Sequence, residues 1–223
     1  MTEPIFWNAL APEARTAFEA LAQLPVLRNF YLAGGTALAL QIGHRISFDL
    51  DFFSSSNPLG TVERAILARD LQRVQPSVIR HESDEQFYAT IRGVEVSFIF
   101  QHHPLLFPTI DRGGVAAAQP ADIGLMKLSA IKDRGARRDF VDLYCMRQVA
   151  PLKTLFQLLP QKYHDRPDFT VHLAYALRYF EDAEADTRTL RMLRKVNWTA
   201  VKKYCAEGSR LLSKLNAGLE PPK

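Results

Sequence analysis

The alternation of apolar and polar residues divides the chain into a first part with mixed elements and a second part with helices alone. In the first part, apolar residues recur at helical spacing over residues 8–23, and residues 61–75 have the composition of a charged surface helix. Short runs rich in Val, Ile, Phe and Tyr lie at Phe30–Leu32, Ile46–Phe53, Ser77–His81, Gln86–Arg92 and Val94–Phe100. These runs are typical of strands, and Arg92-Gly93 is expected to form a tight turn between the last two. The first part is therefore expected to combine a sheet with helices.

A connection over residues 104–120 separates the two parts. It holds three prolines and the pair Gly113-Gly114, which favour loop structure over helix or strand. Beyond it no strand is evident, and helical patterns occur near residues 121–133, 137–149, 152–160, 168–183 and 197–215. We therefore expect an α+β fold, with a mixed lobe over residues 1–115 and an all-helical lobe over residues 116–223.

A glycine turn follows the first strand. The apolar run ends just before Gly34 and Gly35, and the sequence from Thr36 onward reads as the start of a helix. Glycines let a backbone approach a ligand closely, and a helix N-terminus offers N–H groups and a partial positive charge to phosphate. Paired glycines also occur in such turns for structural reasons alone, so the turn predicts a phosphate site only together with a second feature.

That second feature is a pair of aspartates on the next strand. Asp49 and Asp51 alternate with apolar residues in ISFDLDFF, so they share one face of the strand and lie roughly 7 Å apart along the chain. Two carboxylates at this spacing can bind one Mg²⁺ or Mn²⁺, or a pair of ions, and a metal held there promotes attack on a triphosphate. Ser47 points to the same side and is expected to hydrogen-bond an aspartate, while Arg45 either contacts phosphate or pairs with Asp51.

Both features lie in the stretch LAGGTALALQIGHRISFDLDFF at residues 32–53. This stretch resembles the signature of the AbiEii/AbiGii family of nucleotidyltransferase-fold toxins, which act in type IV toxin–antitoxin and abortive-infection systems. The segment MKLSAIKDRGARRDFVDLY at residues 126–144 resembles the second conserved block of that family, and LRYFEDAEAD at residues 177–186 resembles its helical tail. The likeness extends over most of the chain, from about residue 30 to about residue 205.

The resemblance implies a DNA polymerase-β-like fold, the use of Mg²⁺, and either transfer of a nucleotide from an NTP to a tRNA end or binding of a guanine nucleotide. It also implies a cognate antitoxin protein as a partner. Matched position by position, the family's glycine–hydroxyl turn and metal-binding pair fall on Gly34, Gly35, Thr36, Asp49 and Asp51.

The second conserved block supplies further candidates. The resemblance places the family's downstream lysine on Lys127 and its late acidic residue on Asp142. Lys127, Ile131 and Arg134 are spaced at i, i+4 and i+7, so one helix face could direct two cations at phosphates. Charges at this spacing also form exposed ion pairs on helices, and that alternative stays open.

One position departs from the pattern of many nucleotidyltransferases. They place a third carboxylate on a later strand, and the corresponding position in Val94–Phe100 holds Ser97. Glu95 on the same face is a candidate metal ligand in its place, and Asp142 is another. If neither serves, the site holds one metal, or the protein binds a nucleotide or a partner protein with weak or no turnover.

The distribution of charged residues along the chain bears on the acceptor of the nucleotide. Residues 151–223 hold 13 of the 28 Lys and Arg residues but only 8 of the 24 acidic residues. The stretch Thr187–Lys203 contains six cations and no acid, which suits a polyanion such as tRNA or, alternatively, a solvated helix face.

With no long apolar run and no signal-peptide pattern, we expect a cytoplasmic protein without a membrane partner. Cys145 and Cys205 are expected to be reduced core residues.

Two other classes of phosphate-handling enzyme fit less well. Haloacid-dehalogenase phosphatases share the Asp-x-Asp motif, but they require Thr or Val where Phe53 stands and leave the glycine turn without a role. The P-loop of kinases, Gly-x-x-x-x-Gly-Lys-Ser/Thr, does not occur in the sequence. The sequence therefore predicts a metal-dependent nucleotidyltransferase, with a weakly active or inactive nucleotide-binding protein on the same fold as the alternative.

Overall fold

The structure is a computed structural model that describes residues 4–74 and 76–219. The chain divides into two compact units, Met1–Gln119 and Pro120–Lys223. Within the described residues, the first unit combines helices with a seven-stranded mixed sheet, and the second consists of helices and their connections. The predicted α+β fold class is therefore confirmed.

The first unit begins with a short 3-10 helix (Trp7–Ala9) and with α1, which starts at a proline because the first helical position needs no N–H donor. A second 3-10 helix, Pro25–Asn29, precedes the sheet. The helices of this unit are α1 (Pro12–Leu21), α2 (Gly34–Ile42) and α3 (Thr61–Val74). Its strands are β1 (Tyr31–Leu32), β2 (Leu50–Ser54), β3 (Ser77–Ser83), β4 (Gln86–Ile91), β5 (Val94–Phe100), β6 (Ile110–Asp111) and β7 (Ala116–Ala117).

The strands form one sheet in the order β3-β4-β5-β2-β1-β7-β6. Strand β2 pairs antiparallel with β1 and parallel with β5, while β1 pairs parallel with β7. Phe52, Phe87 and Phe98 are fully buried on one face of the central strands. Because side chains alternate along a strand, the opposite face carries Asp51 and its cross-strand neighbour Ser97, and we term it the Asp51 face.

Strand β2 begins four residues later than the sequence predicted. Phe48 is 47% exposed and Ser47 is fully buried, which reverses the predicted alternation. The backbone of Ser47 bonds outside the sheet, since its N–H donates to the carbonyl oxygen of Ala9 at 2.8 Å and its own carbonyl accepts from Ala11 at 2.9 Å. The predicted strand over Ile46–Phe53 is therefore wrong in its first half.

The predicted connection over residues 104–120 contains strands β6 and β7, which the sequence analysis missed. Each has two residues, too few for alternation to be recognised. Gly113 and Gly114 both have positive φ and form the turn between them. The hairpin of β4 and β5 turns at Arg92-Gly93, also with positive φ at both residues, as predicted.

The second unit contains α4 (Pro120–Arg134), α5 (Arg137–Cys145), α6 (Leu152–Lys162), α7 (Phe169–Ala176), α8 (Glu181–Ala185) and α9 (Trp198–Asn216). The predicted helix over residues 168–183 is thus interrupted between α7 and α8. Neither cysteine forms a disulfide; Cys205 is fully buried and Cys145 is half-buried. Burial raises the pKa of the Cys205 thiol to about 12. None of the described helices combines the length and apolar character that crossing a bilayer requires.

Candidate active site

The candidate site begins at the glycine turn between β1 and α2. Gly34 has a φ of 64°, a left-handed conformation that residues with side chains rarely adopt. A Cβ atom at Gly34 would lie 3.0 Å from Oδ2 of Asp51. Glycine is therefore required here both by the backbone conformation and by the close approach of the Asp51 carboxylate.

Gly35 is required by a different neighbour. A Cβ atom at this position would lie only 2.0 Å from Nη2 of Arg45, which is itself 6% exposed. The Arg45 guanidinium thus packs against the first turn of α2. That turn contains no acidic residue, and no side chain caps the helix N-terminus. The arginine charge and the helix dipole together favour an anion at this end of α2.

Asp49 lies just before β2 and is held by two hydroxyl groups. Thr36 Oγ1 donates to the Asp49 carbonyl oxygen at 2.5 Å and lies 2.8 Å from Ser47 Oγ. Ser47 Oγ donates to Asp49 Oδ1 at 3.1 Å, which is the predicted bond between Ser47 and an aspartate. Both hydroxyl-bearing residues are fully buried, whereas Asp49 is half-buried. Thr36 therefore fixes the approach to β2 instead of capping α2.

Asp51 lies on β2 directly opposite Ser97 of β5. Ser97 Oγ donates to Asp51 Oδ1 at 2.5 Å, and Ser97 is 6% exposed. A hydroxyl group therefore stands at the position that the sequence analysis assigned to a third carboxylate. Glu95 is exposed two residues earlier on β5, where it pairs with Thr90 of β4. Its proposed role as a metal ligand stays a prediction.

The donor set of the first unit fits a divalent cation that is shared with a substrate. Asp49 and Asp51 supply carboxylate oxygens, and Oδ2 of Asp51 lies beside the glycine turn. Among the described residues, no group of three or more His, Cys, Asp or Glu side chains is arranged to hold a metal ion. Mg²⁺ is commonly bound through one or two carboxylates together with water and substrate phosphates. Two carboxylates next to an anion site match that mode of binding.

The predicted residues of the second unit form a buried ion-pair network. Lys127 Nζ lies 2.8 Å from Asp139 Oδ1 and 2.7 Å from Asp142 Oδ2. Arg134 donates to both carboxylate oxygens of Asp139, at 2.9 and 3.1 Å. Both aspartates are fully buried and Lys127 is 5% exposed. Burial alone would raise the pKa of Asp139, but Lys127 and Arg134 hold it below its ordinary value.

This network bears on the roles assigned from the sequence. Lys127 and Arg134 have acidic partners within their own unit. Their predicted contact with phosphate therefore stays a prediction, and the predicted catalytic roles of Lys127 and Asp142 stay predictions as well. Asp139 was not among the predicted site residues, although its i, i+3 spacing from Asp142 places both on one face of α5. Tyr88, the cross-strand partner of Ser97 on β4, was not predicted either.

The basic stretch Thr187–Lys203 is helical only from Trp198 onward, where α9 begins. It therefore differs from the continuous helix face considered as one interpretation of the sequence. Lys202 lies 2.8 Å from Glu184, and Arg188 donates to both carboxylate oxygens of Asp186 at 2.8 and 2.9 Å. The remaining cations of this stretch are exposed: Arg191, Arg194, Lys195 and Lys203.

Comparison with known proteins adds a family and a fold. Residues 16–217 match the family described as "Nucleotidyl transferase AbiEii toxin, Type IV TA system". The uncharacterized protein aq_aa25 of Aquifex aeolicus is 34% identical over 181 residues, which cover 79% of this chain and 86% of that protein.

Two solved structures are similar in fold. JHP933 from Helicobacter pylori has a TM-score of 0.50 at 18% identity, covering 92% of this chain and 94% of that chain. MenT4, a nucleotidyltransferase toxin from Mycobacterium tuberculosis H37Rv, has a TM-score of 0.50 at 16% identity, covering 94% of this chain and 88% of that chain. At these identities the likeness concerns the fold alone.

Proposed function

Because the chain belongs to the nucleotidyl transferase AbiEii toxin family, we propose that it moves a nucleotide from an NTP to an RNA acceptor such as tRNA in a Mg²⁺-dependent reaction. One observation carries the proposal: the Asp51 carboxylate lies against the glycine turn, with Oδ2 3.0 Å from where a Gly34 side chain would begin. A metal-binding group and a phosphate-binding backbone thereby adjoin each other, as nucleotidyl transfer requires.

In the proposed reaction the triphosphate binds at the N-terminus of α2. Gly34 and Gly35 let the Asp51 carboxylate and the Arg45 guanidinium come close to the first turn of α2, whose backbone N–H groups can bind phosphate oxygens. The helix dipole and the Arg45 guanidinium packed on Gly35 attract the negative charge. These groups hold the leaving pyrophosphate and orient the phosphorus under attack.

Asp49 and Asp51 would hold the metal. When bound there, Mg²⁺ would neutralise charge on the phosphates and lower the pKa of the attacking hydroxyl group. Ser47 and Thr36 fix Asp49, and Ser97 fixes Asp51 through its hydrogen bond to Oδ1. These bonds keep both carboxylates oriented before substrate arrives, which is the condition for efficient electrostatic catalysis.

Lys127 and Asp142 are also assigned to the reaction, on the strength of the family resemblance. The ion pairs of Lys127 with Asp139 and Asp142 support a second role, which is to join α4 to α5 through buried charges. The exposed cations of Thr187–Lys203 support an RNA acceptor, because phosphate is attracted to clustered Arg and Lys. The family supports an antitoxin protein as a partner. A reaction that consumes NTPs and modifies tRNA fits the cytoplasm.

The test is transfer of label from each of the four α-³²P NTPs to total tRNA in the presence of Mg²⁺. The wild-type chain is expected to label RNA with at least one NTP, and the isosteric variants Asp49→Asn and Asp51→Asn are expected to abolish labelling. Chelation by EDTA should stop the reaction, and Mn²⁺ should restore it. Labelling that persists in both variants would refute the proposed site.

A second function is favoured by one specific observation, the Ser97 hydroxyl in place of a third carboxylate. With two carboxylates only, the chain would bind nucleotide without efficient transfer. This second function predicts that Mn²⁺ and NTP raise the melting temperature of the wild-type chain but not of Asp51→Asn. It also predicts that no label is transferred to RNA or protein. Transfer by the wild-type chain excludes this alternative.

A further inference from the structure

The order of the strands separates two sides of the candidate active site. Strand β1 leads into the glycine turn and lies on one side of β2, whereas β5, β4 and β3 lie on the other side. In nucleotidyl transfer the attacking hydroxyl and the leaving pyrophosphate are roughly in line across the phosphorus. If phosphates occupy the glycine turn, the acceptor must therefore approach over β5, β4 and β3.

A row of side chains crosses these strands on the Asp51 face. Asp51 pairs with Ser97, Ser97 pairs with Tyr88, and Tyr88 pairs with His81, on β2, β5, β4 and β3 respectively. The rings of Tyr88 and His81 have centroids 6.0 Å apart at an interplanar angle of 43°. Tyr88 is half-buried and His81 is exposed, so the row becomes more accessible with distance from the carboxylates.

The chemistry of this row suits a nucleotide. Every nucleobase offers a π-face, and aromatic side chains bind single-stranded nucleic acid by stacking on such faces. Beside the row, Arg80 donates to Thr90 Oγ1 at 2.9 Å, which brings a cation to the Asp51 face for a phosphate.

We propose that Tyr88 and His81 bind the terminal nucleotide of a single-stranded RNA acceptor, whose hydroxyl group is thereby directed past Ser97 toward Asp51. The inference rests on the proposed function, because it names the acceptor class and the residues that hold it. Two adjacent rings and a nearby arginine suit a base followed by a phosphate better than a protein side chain.

The test measures binding and transfer separately. The probe is a fluorescein-labelled single-stranded oligoribonucleotide of about ten nucleotides with a free 3′ hydroxyl. Fluorescence anisotropy measures the affinity of the protein for this probe. Tyr88→Ala is expected to weaken its binding about tenfold, His81→Ala less, and Tyr88→Phe not more than about threefold, because phenylalanine retains the stacking ring. The affinity of the same variants for Mn²⁺ with NTP, measured by thermal shift, should equal that of the wild type.

The outcomes distinguish this inference from the proposed function. If Asp51→Asn abolishes transfer while Tyr88→Ala binds RNA like the wild type, the function stands and the inference fails. If RNA binding depends on Tyr88 but no label is ever transferred, the role of Tyr88 in binding RNA is supported and the proposed transfer fails. The inference is also overturned if the oligoribonucleotide does not bind, if label goes to protein alone, or if Tyr88→Phe is as defective as Tyr88→Ala.

Discussion

The two units of the protein each contain a pair of aspartates, and the two pairs differ in burial and in the groups that donate to them. Asp49 and Asp51 are half-buried beside a helix N-terminus, and hydroxyl groups of Ser47 and Ser97 donate to them. Asp139 and Asp142 are fully buried, and Lys127 lies within 2.8 Å of the first and 2.7 Å of the second.

The contrast lies in the side chains that donate to each pair, which are hydroxyl groups in the first unit and cations in the second. A hydroxyl donor orients a carboxylate without bringing a positive charge of its own, and carboxylate oxygens oriented in this way are suitable ligands for a cation. Lys127 and Arg134 together supply two positive charges for the two buried carboxylates of the second pair, and the group resists unfolding because loss of Lys127 takes a cation from both. Short acidic motifs that look alike in a sequence thus have different hydrogen-bond and ion-pair partners in the fold.

The largest expected effect follows from removing one charge of the first pair. Asp51→Asn should lower the rate of label transfer about a thousandfold, since several kcal/mol of transition-state stabilisation depend on the metal. Asparagine still accepts a hydrogen bond from Ser97, so the free energy of unfolding should change by less than about 1 kcal/mol. Urea denaturation and initial rates measured on one preparation check both values. A rate of label transfer within tenfold of the wild-type rate would contradict the proposed role of Asp51 and with it the contrast between the two aspartate pairs.

The second effect concerns the stability of the second unit. Lys127→Met should lower the free energy of unfolding by about 3–5 kcal/mol, because it leaves two buried carboxylates without their lysine. Urea denaturation measures the loss. Arg134→Gln is the matched control, and it should cost about 1 kcal/mol or less, since the Arg134 side chain is 51% exposed. If Lys127→Met abolishes transfer with unchanged stability, Lys127 serves the reaction and the contrast between the pairs disappears.

A smaller effect tests the glycine turn. Gly35→Ala places a methyl group where Arg45 Nη2 lies, so the guanidinium must move, at a cost of about 1–3 kcal/mol in stability. The displaced charge should also weaken binding of Mn²⁺ with NTP, measured by thermal shift. Combining Gly35→Ala with Arg45→Ala should restore much of the stability but not the nucleotide affinity. Simple additivity of the two stability changes would contradict the contact.

The smallest effect concerns pH. The folded-state pKa of Asp139 lies below its ordinary value of 3.8, so its ion pairs contribute stability above that value and lose it as the pH falls through the folded-state pKa. Urea denaturation between about pH 5 and pH 3 should reveal a decline in stability that is shallower in Asp139→Asn. Equal slopes in the two proteins would mean that Asp139 is not stabilised by Lys127 and Arg134.

Local rules predicted the parts of the fold that short segments determine. The turn at Arg92-Gly93 and the adjoining strands were predicted because alternation and turn chemistry act within a few residues. The start of β2 was not, because the pairing of Ser47 with Ala9 and Ala11 is a contact between distant segments. Strands of two residues, such as β6 and β7, carry no periodic signal at all.

The candidate site was predictable in its residues but not in its contacts. The glycine turn and the aspartate pair follow from residue types and spacing, and Ser97 was found at the expected strand position. Nothing in the sequence indicated that Arg45 packs on Gly35, because that contact depends on how the chain returns after α2. The spacing of Lys127 and Arg134 was read correctly, but their partners come from α5 and depend on helix packing.

The parallel pairing of β2 with β5 has a consequence for the timing of synthesis. Asp51 meets Ser97 across 46 positions of chain, and β1 is completed on its other side only by Ala117 of β7. Strands so far apart cannot pair while the intervening polypeptide is still being made. During synthesis β5 therefore becomes available to β2 before β7 becomes available to β1, and the sheet on both sides of Asp51 can close only after Ala117 has been made.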